Sequence, residues 1–252
     1  MVVNLEKTTS GMIASGIKGL DEMIGGGIPK GKVILLCGGP GTGKTIFCLQ
    51  VLASAAENNT KGVYMSLEEP ISQIKSDTQQ FPWKISEKEK TNLIRLIEAR
   101  AAPSFKDERK TANEGVRPES ISEKIVDTAK SIDAKLVLID PLTSLTVSEQ
   151  SAGNKRRLVA EFFESLKRSG LTCIVTCEGN FSDGEFYMEE FLADGVIKLN
   201  KAIEEFNLIR TIRVEKMRGR PIDEQPRRYE INAGGLKVYN TEKMTVERSL
   251  HE

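Results

Sequence analysis

Residues 38–45 read Gly-Gly-Pro-Gly-Thr-Gly-Lys-Thr. They lie between the apolar run Val33-Ile34-Leu35-Leu36-Cys37 and a periodic apolar pattern opening Ile46-Phe47-Cys48-Leu49. A buried strand, a glycine-rich turn and a helix, in that order, are the setting of a phosphate-binding P-loop. The tight turn lets backbone N–H groups of Gly39, Pro40, Gly41, Thr42 and Gly43 enclose an anion as far as each carries one, proline having none. The helix behind it adds the partial positive charge of its N-terminus. Lys44 is placed to reach the outer phosphates of a nucleotide, and the Thr45 hydroxyl to join the coordination of Mg²⁺.

Outward from this stretch, short β-branched runs alternate with longer amphipathic segments. This is the pattern of an α/β fold with a mostly parallel central sheet flanked by helices. Nearly continuous apolar runs at 33–37, 63–67, 93–97, 136–139 and 171–176 predict strands covered on both faces, with helices at about 44–58, 70–80, 119–132 and 154–169. After Gly195 the texture changes to alternation, as in Leu208-Ile209-Arg210-Thr211-Ile212-Arg213-Val214, which predicts antiparallel hairpins. One domain over residues 1–240 is expected, with 241–252 a loose tail. Residues 99–118 read as a surface excursion or lid, and 178–194 as a polar loop without a single Lys or Arg.

Composition narrows the function classes. The 252 residues hold 36 basic and 36 acidic side chains, so no whole-chain field attracts nucleic acid or an anionic membrane. No apolar run has the length of a membrane-spanning helix, and the first residues lack the order of a signal peptide, so a cytoplasmic protein is expected. Cys37, Cys48, Cys173 and Cys177 fall in apolar segments without CxxC spacing, which suits reduced core thiols, and the single histidine, His251, offers no metal site beyond Mg²⁺.

Hydrolysis needs more than a P-loop. Asp140 follows Leu136-Val137-Leu138-Ile139 at the carboxyl end of a strand, the edge where open α/β sheets bind ligands, and is expected to be the second Mg²⁺ partner. Glu68 and Glu69 end the strand at 63–67 and precede Pro70. One can act as the base toward water while the other orders the site, or Glu69 can simply favour the next helix start. Glu68 is the favoured base. Glu178, beyond the strand at 171–176, is a third candidate, placed where a polar group can sense the terminal phosphate or simply serve as a loop carboxylate.

With these residues in view, the chain resembles a single-domain member of the KaiC-like branch of the RecA superfamily of ATPases. The resemblance rests on Ser15-Gly16-Ile17-Lys18-Gly19-Leu20-Asp21 through Gly31, Glu68-Glu69, Leu138-Ile139-Asp140, Ala193-Asp194-Gly195 and Lys216-Met217-Arg218-Gly219. It implies ATP with Mg²⁺, a RecA-type fold and a homo-oligomeric ring, commonly a hexamer, with nucleotide between subunits. By the same resemblance Glu68 and Glu69 are catalytic, and Lys216 and Arg218 reach a neighbour's terminal phosphate. Spacing permits the latter, because residues two apart on a strand share a face, although a cationic edge that deters aggregation has the same spacing. The KaiC clock protein has two such domains and this chain has room for one, so a clock role is not implied, and a protein partner stays unidentified.

Recombinases share the RecA core and supply the alternative, a DNA repair protein that binds single strands. Such binding needs basic loops after the fourth and fifth strands. The loop at 178–194 has no cation, and Lys155-Arg156-Arg157 reads better as the solvated first turn of a helix than as a DNA-binding loop.

Overall fold

The computed structural model describes residues 11–99, 118–147, 149, 151–179 and 188–239. Most of the expected lid, the middle of the acidic loop and the expected tail fall outside these residues.

Alternating residues of each central strand serve two separate cores. In β3 (Val33–Gly38), Ile34 and Leu36 face one cluster while Val33, Leu35 and Cys37 face the other. This period-two division is what a strand covered on both sides requires. Around β3 lie β4 (Gly62–Ser66), β5 (Ile94–Glu98), β6 (Leu136–Asp140), β7 (Thr172–Glu178) and β8 (Gly195–Glu204). The rest of the sheet is β9 (Asn207–Met217), β10 (Arg227–Asn232) and β11 (Gly235–Val238). Among the described residues the order is β11-β10-β9-β8-β3-β7-β6-β4-β5. From β8 through to β5 the neighbours are parallel; β9, β10 and β11 continue antiparallel. The C-terminal hairpins are therefore not a separate layer, because β8 pairs parallel with β3 while it forms a hairpin with β9. A small antiparallel pair, β1 (Met12–Ile13) and β2 (Ile28–Pro29), brackets α1 (Leu20–Met23).

The first core is covered by α2 (Lys44–Glu57), most of whose residues are buried. The second is covered by α5 (Pro118–Ile132) and α7 (Ala152–Arg168). In α7, Val159, Phe162, Phe163 and Leu166 recur at helical spacing and are buried, and the Ser151 side chain caps its first turn by accepting from the Asn154 N–H.

Helix ends differ from expectation in one place. The segment read as 70–80 is α3 (Ile71–Asp77), because the Thr78 hydroxyl turns back to the Ile74 carbonyl and the chain then bends. Four short helices escaped the sequence reading: α1, α4 (Ile85–Lys90), α6 (Thr143–Thr146) and α8 (Met188–Leu192). Each has fewer than two turns, too few for a periodic signal. Since α7 begins at Ala152, Lys155-Arg156-Arg157 starts where its first turn ends, and Arg157 pairs with Glu161 at 3.5 Å. All four cysteines are buried and unpaired, and burial pushes the Cys173 and Cys177 thiols up to about 12. Among the described residues no helix is long and apolar enough to cross a membrane.

Candidate nucleotide site

At the carboxyl edge of β3, β4, β6 and β7 one cleft of about 300 Å³ is lined by Pro40, Gly41, Gly43, Lys44, Thr45, Ile46, Tyr64, Ser66, Glu68, Glu69, Asp140, Pro141 and Glu178. The residues converge because these strands are parallel and end at a common level.

The P-loop is shaped by backbone that other residues would resist. Gly41 and Gly43 have φ of 73° and 94°, and a Cβ on Gly43 would stand 2.5 Å from Ile231 Cδ1. The loop is also braced from outside. The Tyr229 hydroxyl on β10 donates to the Thr42 carbonyl at 2.6 Å, and Lys201 Nζ on β8 donates to the Pro40 carbonyl at 3.1 Å. Within the loop, the Thr42 hydroxyl donates to the Gly39 carbonyl. Lys44 Nζ donates to the Gly38 and Gly39 carbonyls at 2.9 and 3.3 Å and lies 3.9 Å from Glu178 Oε1.

Asp140 closes the floor. Its Oδ2 accepts from the Thr45 hydroxyl at 2.7 Å and from the Tyr64 hydroxyl at 2.8 Å, and its Oδ1 accepts from the Thr176 hydroxyl. Three neutral donors thus hold a buried carboxylate that has no salt bridge among the described residues, which leaves its charge available to a cation. Burial, and then the charge of Asp140, push the Tyr64 phenol well above its usual range, so it stays a donor. Thr45 and Asp140 meet in a set of hard oxygen donors. Among the described residues no cluster of three His, Cys, Asp or Glu side chains forms a self-sufficient metal cage. That fits Mg²⁺, which keeps waters and phosphate oxygens and takes only one or two protein ligands.

Glu68 and Glu69 both border the cleft and are exposed. Ser144 on α6 donates to Glu68 Oε1 at 2.5 Å, which aims that carboxylate. Partial burial, reinforced by Asp140, raises the Glu69 carboxyl above the ordinary glutamate value. Its carbonyl accepts from the Ser66 hydroxyl at 2.6 Å.

Lys216 and Arg218 are not among the residues lining this cleft. Lys216 lies in β9, but Arg218 is one residue beyond the strand's end at Met217, so the pair does not share a strand as the spacing suggested. Both nevertheless converge on α8. Lys216 Nζ donates to the Glu190 carbonyl at 2.6 Å and Arg218 to the Phe191 carbonyl at 3.1 Å, cations at the end of a helix. Asp194 anchors the same corner, its carboxylate accepting from the Val33 N–H and lying 3.2 Å from Lys167. Beneath α8, Lys198 and Glu190 form a buried ion pair at 3.0 Å.

Sequence reading missed Tyr64, Thr176, Ser144, Lys201 and Tyr229. Tyr64 and Thr176 sit inside buried apolar strands, where a lone hydroxyl is the signal that could have found them. The others come from distant parts of the chain and only the sheet order brings them in.

The chain matches the family model described as "ATPase: KaiC" over residues 13–243. It belongs to the KaiC ATPase family. A UPF0273 protein of Methanocaldococcus jannaschii is 32% identical over 237 residues, covering 90% of this chain and 96% of that protein. The circadian clock oscillator protein KaiC of Prochlorococcus marinus is 28% identical over 211 residues, and the match covers 82% of this chain but 42% of that protein. The crystal structure of a KaiC-like protein from Pyrococcus horikoshii superimposes with a TM-score of 0.77 at 30% identity, covering 90% of this chain and 98% of the other. Fold and family agree with the expected RecA-type, KaiC-like ATPase and support ATP binding.

Proposed function

We propose that this chain is a Mg²⁺-dependent ATPase that acts as a ring, a hexamer by the resemblance to its family, with each nucleotide between two copies. The observation that carries this reading is the convergence, in one cleft, of the P-loop with Asp140, Glu68, Glu69 and Glu178. Gly39 through Gly43 would cradle the phosphates and Lys44 would move from the loop carbonyls to the outer ones. Thr45 and Asp140 would hold Mg²⁺, which when bound neutralises charge on the β- and γ-phosphates. Glu68, aimed by Ser144, would take the proton of the attacking water, with Glu69 ordering the site and Glu178 sensing the terminal phosphate. Lys216 and Arg218 would leave α8 to reach a neighbour's phosphate, so hydrolysis would depend on assembly. Residues 1–240 would form one ATPase domain. Four buried, unpaired thiols suit a reducing compartment such as the cytoplasm.

The recombinase alternative is not favoured. The stretch 178–194 has no cation to meet a phosphate backbone, and Arg157 is engaged by Glu161. A regulatory ring acting on a protein partner suits the balanced charge better.

Replacing Glu68 with Gln tests the reading. ATP binding is expected to persist while steady-state turnover falls by roughly two to four powers of ten. Undiminished turnover would move the base to Glu69 or Glu178.

A further inference from the structure

One face of the β8–β9 hairpin carries a row of cross-strand pairs: Ile197 with Val214, Leu199 with Ile212, Lys201 with Arg210, then Ile203 with Leu208. Two cations thus interrupt an apolar series and stand directly opposite each other, an arrangement that destabilises a sheet on its own. Among the described residues, neither Lys201 nor Arg210 has an acidic partner, and the Arg210 Nε is buried without a hydrogen-bond acceptor. The fold gives no reason for the pair.

Its position does. β3 ends at Gly38, opposite Leu199, so the hairpin runs on past the sheet beside the P-loop. Lys201 Nζ reaches the Pro40 carbonyl and would lie 3.0 Å from a Cβ on Gly41. Arg210 is near enough to Tyr229, the anchor of Thr42, for its charge to offset part of the rise that burial imposes on that phenol. A trans peptide sets its C=O and N–H on opposite sides, so holding the Pro40 carbonyl outward turns the Gly41 N–H the other way.

We propose that Lys201 and Arg210 form a cationic rim that extends the P-loop's phosphate site and favours polyphosphate over monophosphate ligands. The inference rests on the nucleotide site proposed above. Lys201 fixes the loop through the Pro40 carbonyl, and together the two charges make the potential at the cradle more positive, which lowers the energy of an anion with several phosphates there. Lys201 is exposed, so the gain is sensitive to salt.

The test uses the full chain, with Lys201→Met, Arg210→Met, the double variant, Lys201→Arg and Lys44→Ala. Calorimetry with ATP, AMP and inorganic tripolyphosphate is run at low and high salt. Expected are losses of roughly three- to tenfold per cation for ATP and tripolyphosphate, by the size of charge-assisted contacts. The losses should shrink at high salt, be restored by Lys201→Arg, and barely touch AMP. If Arg210→Met unfolds, Lys201→Met alone carries the test. Unchanged ATP and tripolyphosphate affinities in the variants, beside a Lys44→Ala chain that has lost them, would overturn the rim and leave the nucleotide site standing. An equal loss for AMP would also overturn it. A Lys44→Ala chain that binds ATP as the unaltered chain does would sink both.

Discussion

Asp140 depends on hydroxyls rather than on a cation, and one of them belongs to Tyr64, whose ring is buried in the core. Tyr64→Phe should leave the fold intact, because ring packing is kept, but release one hold on the Asp140 carboxylate. A magnesium titration of ATP binding is expected to shift its midpoint upward by about three- to tenfold, the size of one hydrogen bond to a charged acceptor. Glu69 gives a second test. Its carboxyl is raised in the folded chain, so its charged form costs stability above the folded pKa and nothing below the unfolded one. Glu69→Gln should therefore raise the melting temperature slightly at pH 7 and leave it unchanged near pH 3; a lower melting temperature at pH 7 would contradict the raised value.

At the scale of elements, the P-loop is a turn whose shape is set by strands far away in sequence. Gly43 shows this, being closed in by its own positive φ and by Ile231 of β10. Gly43→Ala should weaken ATP binding by roughly tenfold, since a left-handed backbone costs a non-glycine residue about 1–2 kcal/mol. Adding Ile231→Ala relieves the clash but not the backbone, so the double variant should stay impaired when ATP affinity is measured. The central strands and the three long helices, α2, α5 and α7, were legible because a covered parallel strand is a continuous apolar run and a helix such as α7 repeats Val159, Phe162, Phe163 and Leu166. The glycine loop and Asp140 were legible because their chemistry is local to a strand's end. The brace from Tyr229 and Lys201 was not, for it depends on β8 joining β3 and on β10 following at the sheet's far side. Nor was the engagement of Lys216 and Arg218 by α8, a helix of five residues.

For the whole molecule, the question is whether catalysis is shared between copies. Lys216 and Arg218 rest on α8 of their own chain, and Arg218 remains exposed. If they serve a neighbour, an Arg218→Ala chain and a Lys44→Ala chain, each inactive alone, should recover part of the hydrolysis rate when mixed, because some interfaces pair an intact cradle with an intact finger. Mixed rings verified by mass that show no recovery would return the pair to a structural role at the helix end.

The brace on the P-loop also orders events during synthesis. Residues 38–45 leave the ribosome early, yet the side chains that steady them, Lys201, Tyr229 and Ile231, are made near the end of the chain. A nascent polypeptide must therefore wait for β10 before its cradle is firm, and nucleotide capture by the growing chain would mark the moment its last strands have docked.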